Sequence, residues 1–271
     1  MKTLAVVCIV KNEEKYLATA LASAKKIATE IIVVDSGSTD NTINIAKKYT
    51  DKVFQQEWLG YGPQKNFAVS KTNCDYILHM DADEEITDEL VKEIKEILTN
   101  PKYKYYWLRL ITVFLNKPLR HLAGNNMRLF SRTDAEWNNK KVHEQVVRRS
   151  DKSIIKFGAP DTVRTKNPLM HHSHYQTIAG YLERQEKYSS SDAEELLRTG
   201  KDRMEKAVNL NPLNPLSRFR FLFERAIKQF VRRFIKQRGA LDGWEGWLWC
   251  FFSAQYEYKM CKKYLELISN S

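Results

Sequence analysis

His79-Met80-Asp81-Ala82-Asp83-Glu84-Glu85 follows Cys74-Asp75-Tyr76-Ile77-Leu78, a short apolar run of strand length and composition. An acidic cluster so placed belongs where a strand runs out into a loop. Two carboxylates spaced i and i+2 beyond a strand's carboxyl end can turn toward one point in the crevice where open α/β sheets bind ligands. Like charges that close repel. A divalent, oxygen-seeking cation such as Mg²⁺ or Mn²⁺, itself holding phosphate oxygens, is a common way to neutralise them. The plainer alternative is a solvated acidic turn leading into a helix. Thr87 can cap Asp88 to Leu98, with Leu90, Val91, Ile94 and Leu98 on one face.

Upstream of this turn the pattern alternates. Leu4 to Val10 reads as strand, Glu13 to Lys26 as helix with Leu17, Leu21 and Ala24 on one face, and Glu30 to Val34 as strand. The turn-rich Asp35-Ser36-Gly37-Ser38-Thr39-Asp40 then offers hydroxyls to cap a helix running to about Tyr49. That βαβα order predicts a parallel sheet. Asp51 to Phe54 reads as a third strand, Gln64 to Ser70 as a helix, Tyr76 to Met80 as the strand carrying the acidic turn, and Tyr103 to Val113 as an extension of the sheet. No Gly-x-Gly-x-x-Gly occurs, which counts against a dinucleotide-binding domain. Asp35 is either a turn residue or a carboxylate in the same crevice as Asp81 and Asp83. With the Lys11-Asn12-Glu13-Glu14 turn after the first strand, two acid-bearing strand ends make a site suited to a nucleotide.

The 271 residues, 43% hydrophobic, suffice for a large core, and the formal charge of +11 points to an anionic partner: nucleic acid, a membrane surface or a phosphorylated substrate. Cys8, Cys74, Cys250 and Cys261 are too scattered for a zinc site or a disulfide framework, which fits a cytoplasmic home. Leu4 to Val10 is short and lacks a small-residue cleavage site, so it reads as a buried strand and not a signal peptide. No apolar run approaches the roughly 20 residues that span a bilayer. After Gly180 the pattern is helical. Between Arg218 and Arg238 eight Lys or Arg face one Glu, so +7 of the +11 lies there. Phe219, Leu222, Phe223, Ala226, Ile227, Phe230, Phe234 and Ile235 recur at helical spacing in the same segment. An apolar stripe under a basic face is the pattern of a helix lying in an anionic membrane interface, and Trp244, Trp247, Trp249, Phe251 and Phe252 suit the headgroup level. The alternative is a helix packed on the preceding α/β domain with a solvated basic face.

Three ordered segments resemble the inverting family 2 glycosyltransferases of the GT-A fold: Val7-Cys8-Ile9-Val10-Lys11-Asn12-Glu13, Ile32-Val33-Val34-Asp35-Ser36-Gly37-Ser38-Thr39-Asp40, and the Asp81-x-Asp83 pair. Trp58-Leu59-Gly60-Tyr61-Gly62-Pro63-Gln64-Lys65-Asn66, Val142-His143-Glu144 and Leu241-Asp242-Gly243-Trp244-Glu245-Gly246 look like the bacterial lipopolysaccharide-core subgroup that adds β-glucose to heptose. The resemblance implies a Rossmann-like mixed, mostly parallel sheet flanked by helices over residues 1–178, with a helical, basic amphipathic region over 179–271 that associates with membrane.

It also implies roles. Val10, Asn12, Glu13 and Asp35 would hold uracil and ribose, while Gln64 and Lys65 would meet uracil or the phosphates. A lysine at a helix start suits a diphosphate. Asp83 would ligate the Mn²⁺ or Mg²⁺, with Asp81 and Ala82 beside the ribose or the metal. Arg128 would contact a donor or acceptor phosphate. Glu144 would be the general base of an inverting displacement, oriented by His143. Within Leu169-Met170-His171-His172-Ser173-His174-Tyr175, alternation puts His172 and His174 on one strand face, and His172 matches the subgroup's recurring histidine, which would complete the metal shell. The implied partners are a UDP-sugar donor, probed first as UDP-glucose, a lipid-linked saccharide acceptor of the lipopolysaccharide inner core, and the cytoplasmic face of the inner membrane through 218–252.

Two other functions share some of these features. A nucleic-acid binder would use the basic and aromatic C-terminal region to track a strand, yet it has no need of acids at two strand ends, and its cations should line a groove. A nucleotidyltransferase also uses paired aspartates, and would be stabilised by a nucleoside triphosphate in preference to UDP.

Overall fold

The computed structural model describes residues 1–139, 144–172, 177–200, 210–211 and 213–269. These form two compact units, Met1–Ile111 with Ala123–His172, and Thr112–Leu122 with Ser173–Ser271. In the first unit β1 (Leu4–Val10), α1 (Leu17–Ala24), β2 (Glu30–Asp35), α2 (Thr42–Lys47), β3 (Val53–Gln55), α3 (Tyr61–Ser70) and β4 (Tyr76–His79) build the parallel half of a mixed sheet, in the order β3-β2-β1-β4. The chain continues through β5 (Glu84–Ile86), α4 (Asp88–Thr99) and β6 (Tyr105–Phe114), with β7 (Lys117–Pro118) as a hairpin partner. After these come β8 (Gly124–Ser131), β9 (Ala135–Trp137), β10 (Val146–Arg148) and β11 (Thr162–His172). β8 pairs antiparallel with both β4 and β6, and β11 pairs antiparallel with β5, so the sheet changes sense beside β4.

β1, β2 and β4 are unbroken apolar runs because both sheet faces are covered. Alternate residues part to opposite sides. Leu4, Val6 and Cys8 of β1 with Val33 and Leu78 pack under α1 and α4, whereas Ala5, Val7, Ile32, Val34 and Ile77 pack with Ala68 and Val69 of α3 and with Trp137 and Val146. α4 begins as its sequence indicates: the Thr87 hydroxyl accepts from Leu90 N at 3.2 Å, and Leu90, Val91, Ile94 and Leu98 are its buried residues. One fully buried Leu, Ile or Val in such a layer contributes about 1.5–3 kcal/mol.

In the second unit α5 (Ile178–Thr199), α6 (Pro215–Val231) and α7 (Gly243–Ser269) pack with the 112–122 strand and hairpin. The Leu241-Asp242-Gly243-Trp244-Glu245-Gly246 motif is the clip. Buried Asp242 accepts from His121 N, His121 Nδ1 and Leu122 N at 2.9–3.1 Å. Gly246 lies so close beneath residue 239 that a Cβ would stand 2.3 Å from the Gly239 carbonyl oxygen. α6 turns Phe221 inward, with Leu222 and Arg225 beside it, and leaves Leu216, Phe219, Phe223, Ile227 and Val231 exposed. Among the described residues no helix is long and apolar enough to cross a membrane.

Candidate active site at the carboxyl ends of β2, β1 and β4

β2, β1 and β4 run side by side in one direction, so the loops after Asp35, Val10 and His79 open at one end of the sheet. The connections from β1 leave toward β2 on one side and, later, return to β4 on the other. That divergence is where open α/β sheets form a crevice.

The first two loops are knitted together. Ser36 N donates to the carbonyl of buried Val10, and Asn12, at a left-handed φ of 57°, accepts from Thr39 N at 2.8 Å while its own N–H donates to Ser38 Oγ. Glu13 N donates to Thr42 Oγ1 at 2.7 Å. Asp35 is buried and its carboxylate folds its own turn, accepting from Gly37 N, Ser38 N and Ser38 Oγ. Gln64, fully buried in the first turn of α3, donates to Ser36 Oγ and to the Gln56 carbonyl and accepts from Leu59 N. These residues shape a rigid floor.

The acidic turn rests on a buried cation. Arg128 of β8, 8% exposed, donates to Asp81 Oδ2, to Glu84 Oε1 at 2.6 Å and to His79 Nδ1 at 2.6 Å. Glu84 Oε2 also accepts from Asp81 N at 2.9 Å. Since a guanidinium can only donate, Nδ1 of His79 is the acceptor and its proton sits on Nε2. Among the described residues that buried nitrogen has no hydrogen-bond partner, and it stands 3.6 Å from Asp81 Oδ1. Burial, then the charge of Lys65, keeps His79 far below its ordinary pKa and therefore neutral. Burial opposes ionisation of Asp81, but Arg128, with His79 and Lys65, holds its carboxyl well below the usual carboxylate range. For Glu84 burial prevails over Arg128 and, helped by Asp81, pushes the carboxyl up to about 7. One guanidinium thus serves two unequal acids: Asp81 is held charged with an open side, and Glu84 beneath it is the weaker acid.

Asp83 projects differently. β5 pairs with β11 so that His171 lies opposite Glu84, and His171 Nε2 comes 3.2 Å from Asp83 Oδ2. Burial alone would lower the His171 pKa, but the bond to Asp83 and the surrounding acids raise it. Of the two described histidines in the 169–175 run it is His171 that reaches Asp83. His172, expected there from its match to the subgroup's recurring histidine, places its Nε2 on Glu85 Oε2 at 2.7 Å and its backbone N–H on the Asp83 carbonyl. Ala82 is buried between the two aspartates.

A second cluster completes the site. Lys65 of α3 is ion-paired with Glu144, both side chains being mostly buried, and its ammonium lies 5.6 Å from the centre of the Trp137 ring. Trp137 also packs edge-on against His79 at 5.2 Å, which links this pair to the acidic turn. Asn66 clamps Trp137 by both backbone groups, at 2.8 and 2.9 Å. Asn138 N donates to the Gln145 carbonyl and Asn138 Oδ1 accepts from Gln145 N, which ties Glu144's neighbour to the residue after Trp137. His143 lies outside the described residues, as does His174. His79 and Asn66 were given no role from the sequence, and His171 stood only as one of the three imidazoles of its run. His79 and Glu84 flank the Asp-x-Asp, and their burial was the missing signal.

An α/β enzyme with an acidic turn at the switch point of its sheet and a helical C-terminal extension is the architecture expected of a GT-A transferase. The chain belongs to glycosyl transferase family 2, whose family model matches residues 5–154. Over 257 residues it is 32% identical to an uncharacterized glycosyltransferase of Rickettsia typhi, covering 92% of this chain and 82% of that one. Over 206 residues it is 28% identical to the lipopolysaccharide core biosynthesis glycosyltransferase LpsC of Rhizobium meliloti, covering 72% of each. Among solved structures, residues 1–349 of Staphylococcus aureus TarS align over 99% of this chain and 90% of that one, at 14% identity and a TM-score of 0.47.

Proposed function

We propose that this family 2 glycosyltransferase moves a hexose, glucose by its resemblance, from a UDP-sugar to a lipid-linked saccharide of the lipopolysaccharide-core kind, with inversion at the transferred carbon. The observation that carries the reading is the Lys65–Glu144 pair standing beside the Arg128-supported acidic turn. An inverting transfer needs a carboxylate opposite the leaving diphosphate, and among the described residues Glu144 is held through one oxygen by the Lys65 ammonium. The acceptor oxygen forms its bond to the anomeric carbon as the bond to the diphosphate breaks. Glu144 takes the acceptor's proton, and the negative charge leaves with UDP.

Asp83 and His171 suit a divalent cation: a carboxylate oxygen and an imidazole nitrogen converge within 3.2 Å. Mg²⁺ and Mn²⁺ are held by one or two protein side chains together with substrate phosphates. Among the described residues no group of three or more His, Cys, Asp or Glu is arranged to hold a metal by itself, so the diphosphate would supply the remaining ligands. When bound, such a cation neutralises the developing charge on the leaving phosphate. Asp81, tied to Arg128, faces the same space with its open side and suits the ribose. Asn12 and Asp35 shape the floor beneath the uracil.

The second unit supports a membrane-bound acceptor. Exposed Leu216, Phe219, Phe223, Ile227 and Val231 run along α6 beside exposed Arg220, Lys228 and Arg232, and Trp244, Trp247 and Phe251 stack in succession at 5.1 and 5.5 Å near the start of α7. An apolar line flanked by cations fits an anionic lipid surface.

The test is Glu144→Gln. Transfer should fall by about 10² to 10⁴, the usual worth of a positioned base, while UDP affinity persists. A rate within about fivefold of the parent places the base elsewhere, and a parallel loss of UDP affinity makes Glu144 a binding residue. In Asp83→Ala the cation-dependent part of the stabilisation by UDP should vanish.

A further inference from the structure

Trp58, Leu59 and Tyr61 form an exposed apolar ledge on the loop entering α3, with Trp58 49% and Tyr61 45% exposed. The two rings meet edge to face at 4.8 Å. Their backbone is not loose. Gln64, fully buried, bonds the Gln56 carbonyl and Leu59 N, and Gly60 turns the chain into α3 at a φ of 99°, a conformation glycine adopts without strain. Three large apolar side chains are therefore held out to solvent on a fixed loop, which is unusual unless something covers them.

What covers them follows from what adjoins them. Tyr61 and Lys65 are one helical turn apart on the same face of α3, and Lys65 holds Glu144. A Cβ on Gly62, next to Tyr61, would lie 3.7 Å from the Glu144 Cβ. The ledge thus borders the carboxylate that, on the reading proposed above, receives the acceptor's proton, and this inference rests on that reading. A group delivering a hydroxyl to Glu144 must come to rest against the same rim. A sugar ring has one face of C–H bonds that packs on aromatic rings and an edge of hydroxyls. Aromatic side chains with an apolar body and a polar tip, such as Tyr61, suit that division.

We infer that Trp58 and Tyr61 are the platform on which a sugar ring of the saccharide acceptor packs, with its reactive hydroxyl directed at Glu144. They are specificity-determining residues for the acceptor, not for the nucleotide, whose floor is built by the loops after β1 and β2.

The test titrates deacylated lipopolysaccharide core oligosaccharide calorimetrically into Glu144→Gln protein saturated with UDP and Mn²⁺, where turnover does not intrude. Adding Trp58→Ala should weaken oligosaccharide binding about tenfold, Tyr61→Ala by a similar factor, and Trp58→Phe by less, since the ring face is kept. UDP affinity should not change. Unaltered oligosaccharide affinity in Trp58→Ala overturns the proposal. So does an equal loss of UDP affinity, which would make the ledge a stacking surface for the uracil. Loss of binding to vesicles of phosphatidylglycerol and phosphatidylcholine with oligosaccharide affinity intact overturns it too, in favour of lipid. An oligosaccharide that does not bind even with Trp58 present overturns the platform as well. By contrast, a parent-like transfer rate in Glu144→Gln overturns the assignment of the base and leaves the binding comparison standing, so the two failures are distinguishable.

Discussion

Replacing Gly62 by alanine tests how the candidate base is held. Elsewhere in a helix this change stabilises by up to about 1 kcal/mol, because alanine loses less backbone freedom on folding. Here a Cβ would stand 2.0 Å from the carbonyl oxygen of Asn138 and 3.2 Å from its carbon. Backbone cannot rotate aside as a side chain can. Restoring an ordinary contact of about 3.4 Å requires a shift of about 1.4 Å in either α3 or the 138–145 segment. Overpacking of this kind costs about 1–3 kcal/mol, so the net loss should be about 1–2 kcal/mol, or a Tm lower by about 2–8 °C for a chain of this size. Either movement changes the Lys65–Glu144 geometry, and a misplacement of about 1 Å in a catalytic group can cost about 10² in rate. Differential scanning fluorimetry and an initial-rate assay with UDP-glucose therefore should both register the substitution. Where the 138–145 segment yields and α3 stays in place, the increment in Tm on adding UDP with Mn²⁺ should survive, since Gln64 then keeps its bonds to the floor. A Gly62→Ala protein as stable and as active as the parent would refute the role given to this close approach.

Other expectations follow from the buried network and the exposed helix. Arg128→Ala leaves Asp81 and Glu84 without their shared cation and should destabilise the first unit by about 3–5 kcal/mol in urea titration; Arg128→Lys should recover little, because an ammonium lacks the guanidinium fork that meets three partners. Glu84 binds its proton more tightly when folded, up to about 7 against an ordinary 4.5, so its contribution is full below about pH 4.5 and is lost as pH rises toward 7. Glu84→Gln should flatten the fall of Tm across that window, and an unchanged slope would assign the proton to another group. Reversing the exposed Lys228, Arg232 and Lys236 to Glu should release the protein from phosphatidylglycerol vesicles in a sedimentation assay, each cation being worth about 1 kcal/mol at such a surface. Undiminished binding would mean that lipid is not what faces α6.

The parallel half of the sheet is legible because burial on both faces forces continuous apolar runs, and loops of Asp, Ser, Gly and Thr punctuate them. The cap of α4 is legible for a local reason: Thr87 and its partner Leu90 are three residues apart. What escapes is long-range register. His171 and Asp83 meet only because β11 pairs with β5, and from sequence Glu84–Ile86 looks like the tail of a turn. A shift of one residue in that pairing would exchange His171 and His172, and alternation, which only groups His172 with His174, does not say which imidazole meets Asp83. Arg128 has no local feature that distinguishes a buried scaffold cation from a phosphate ligand. The apolar stripe over 219–235 also divides: Leu222, Phe230 and Phe234 pack inward, whereas Phe219, Phe223, Ile227 and Ile235 remain outside, because hydrophobicity marks an arc without naming what covers it.

The clip at Asp242 bears on how the polypeptide can be made and cut. Phe114, Leu119 and Leu122 are translated early, yet the carboxylate that receives the His121 and Leu122 amides follows some 120 residues later. During synthesis that hairpin therefore waits, with its apolar side chains uncovered, until the last third of the polypeptide has emerged. A chain ended just after β11 would keep the hairpin and lose its anchor. Shortened versions intended for crystallisation should remove 112–122 together with the helices, or remove neither; trimming only the helices should yield a sticky, aggregating product.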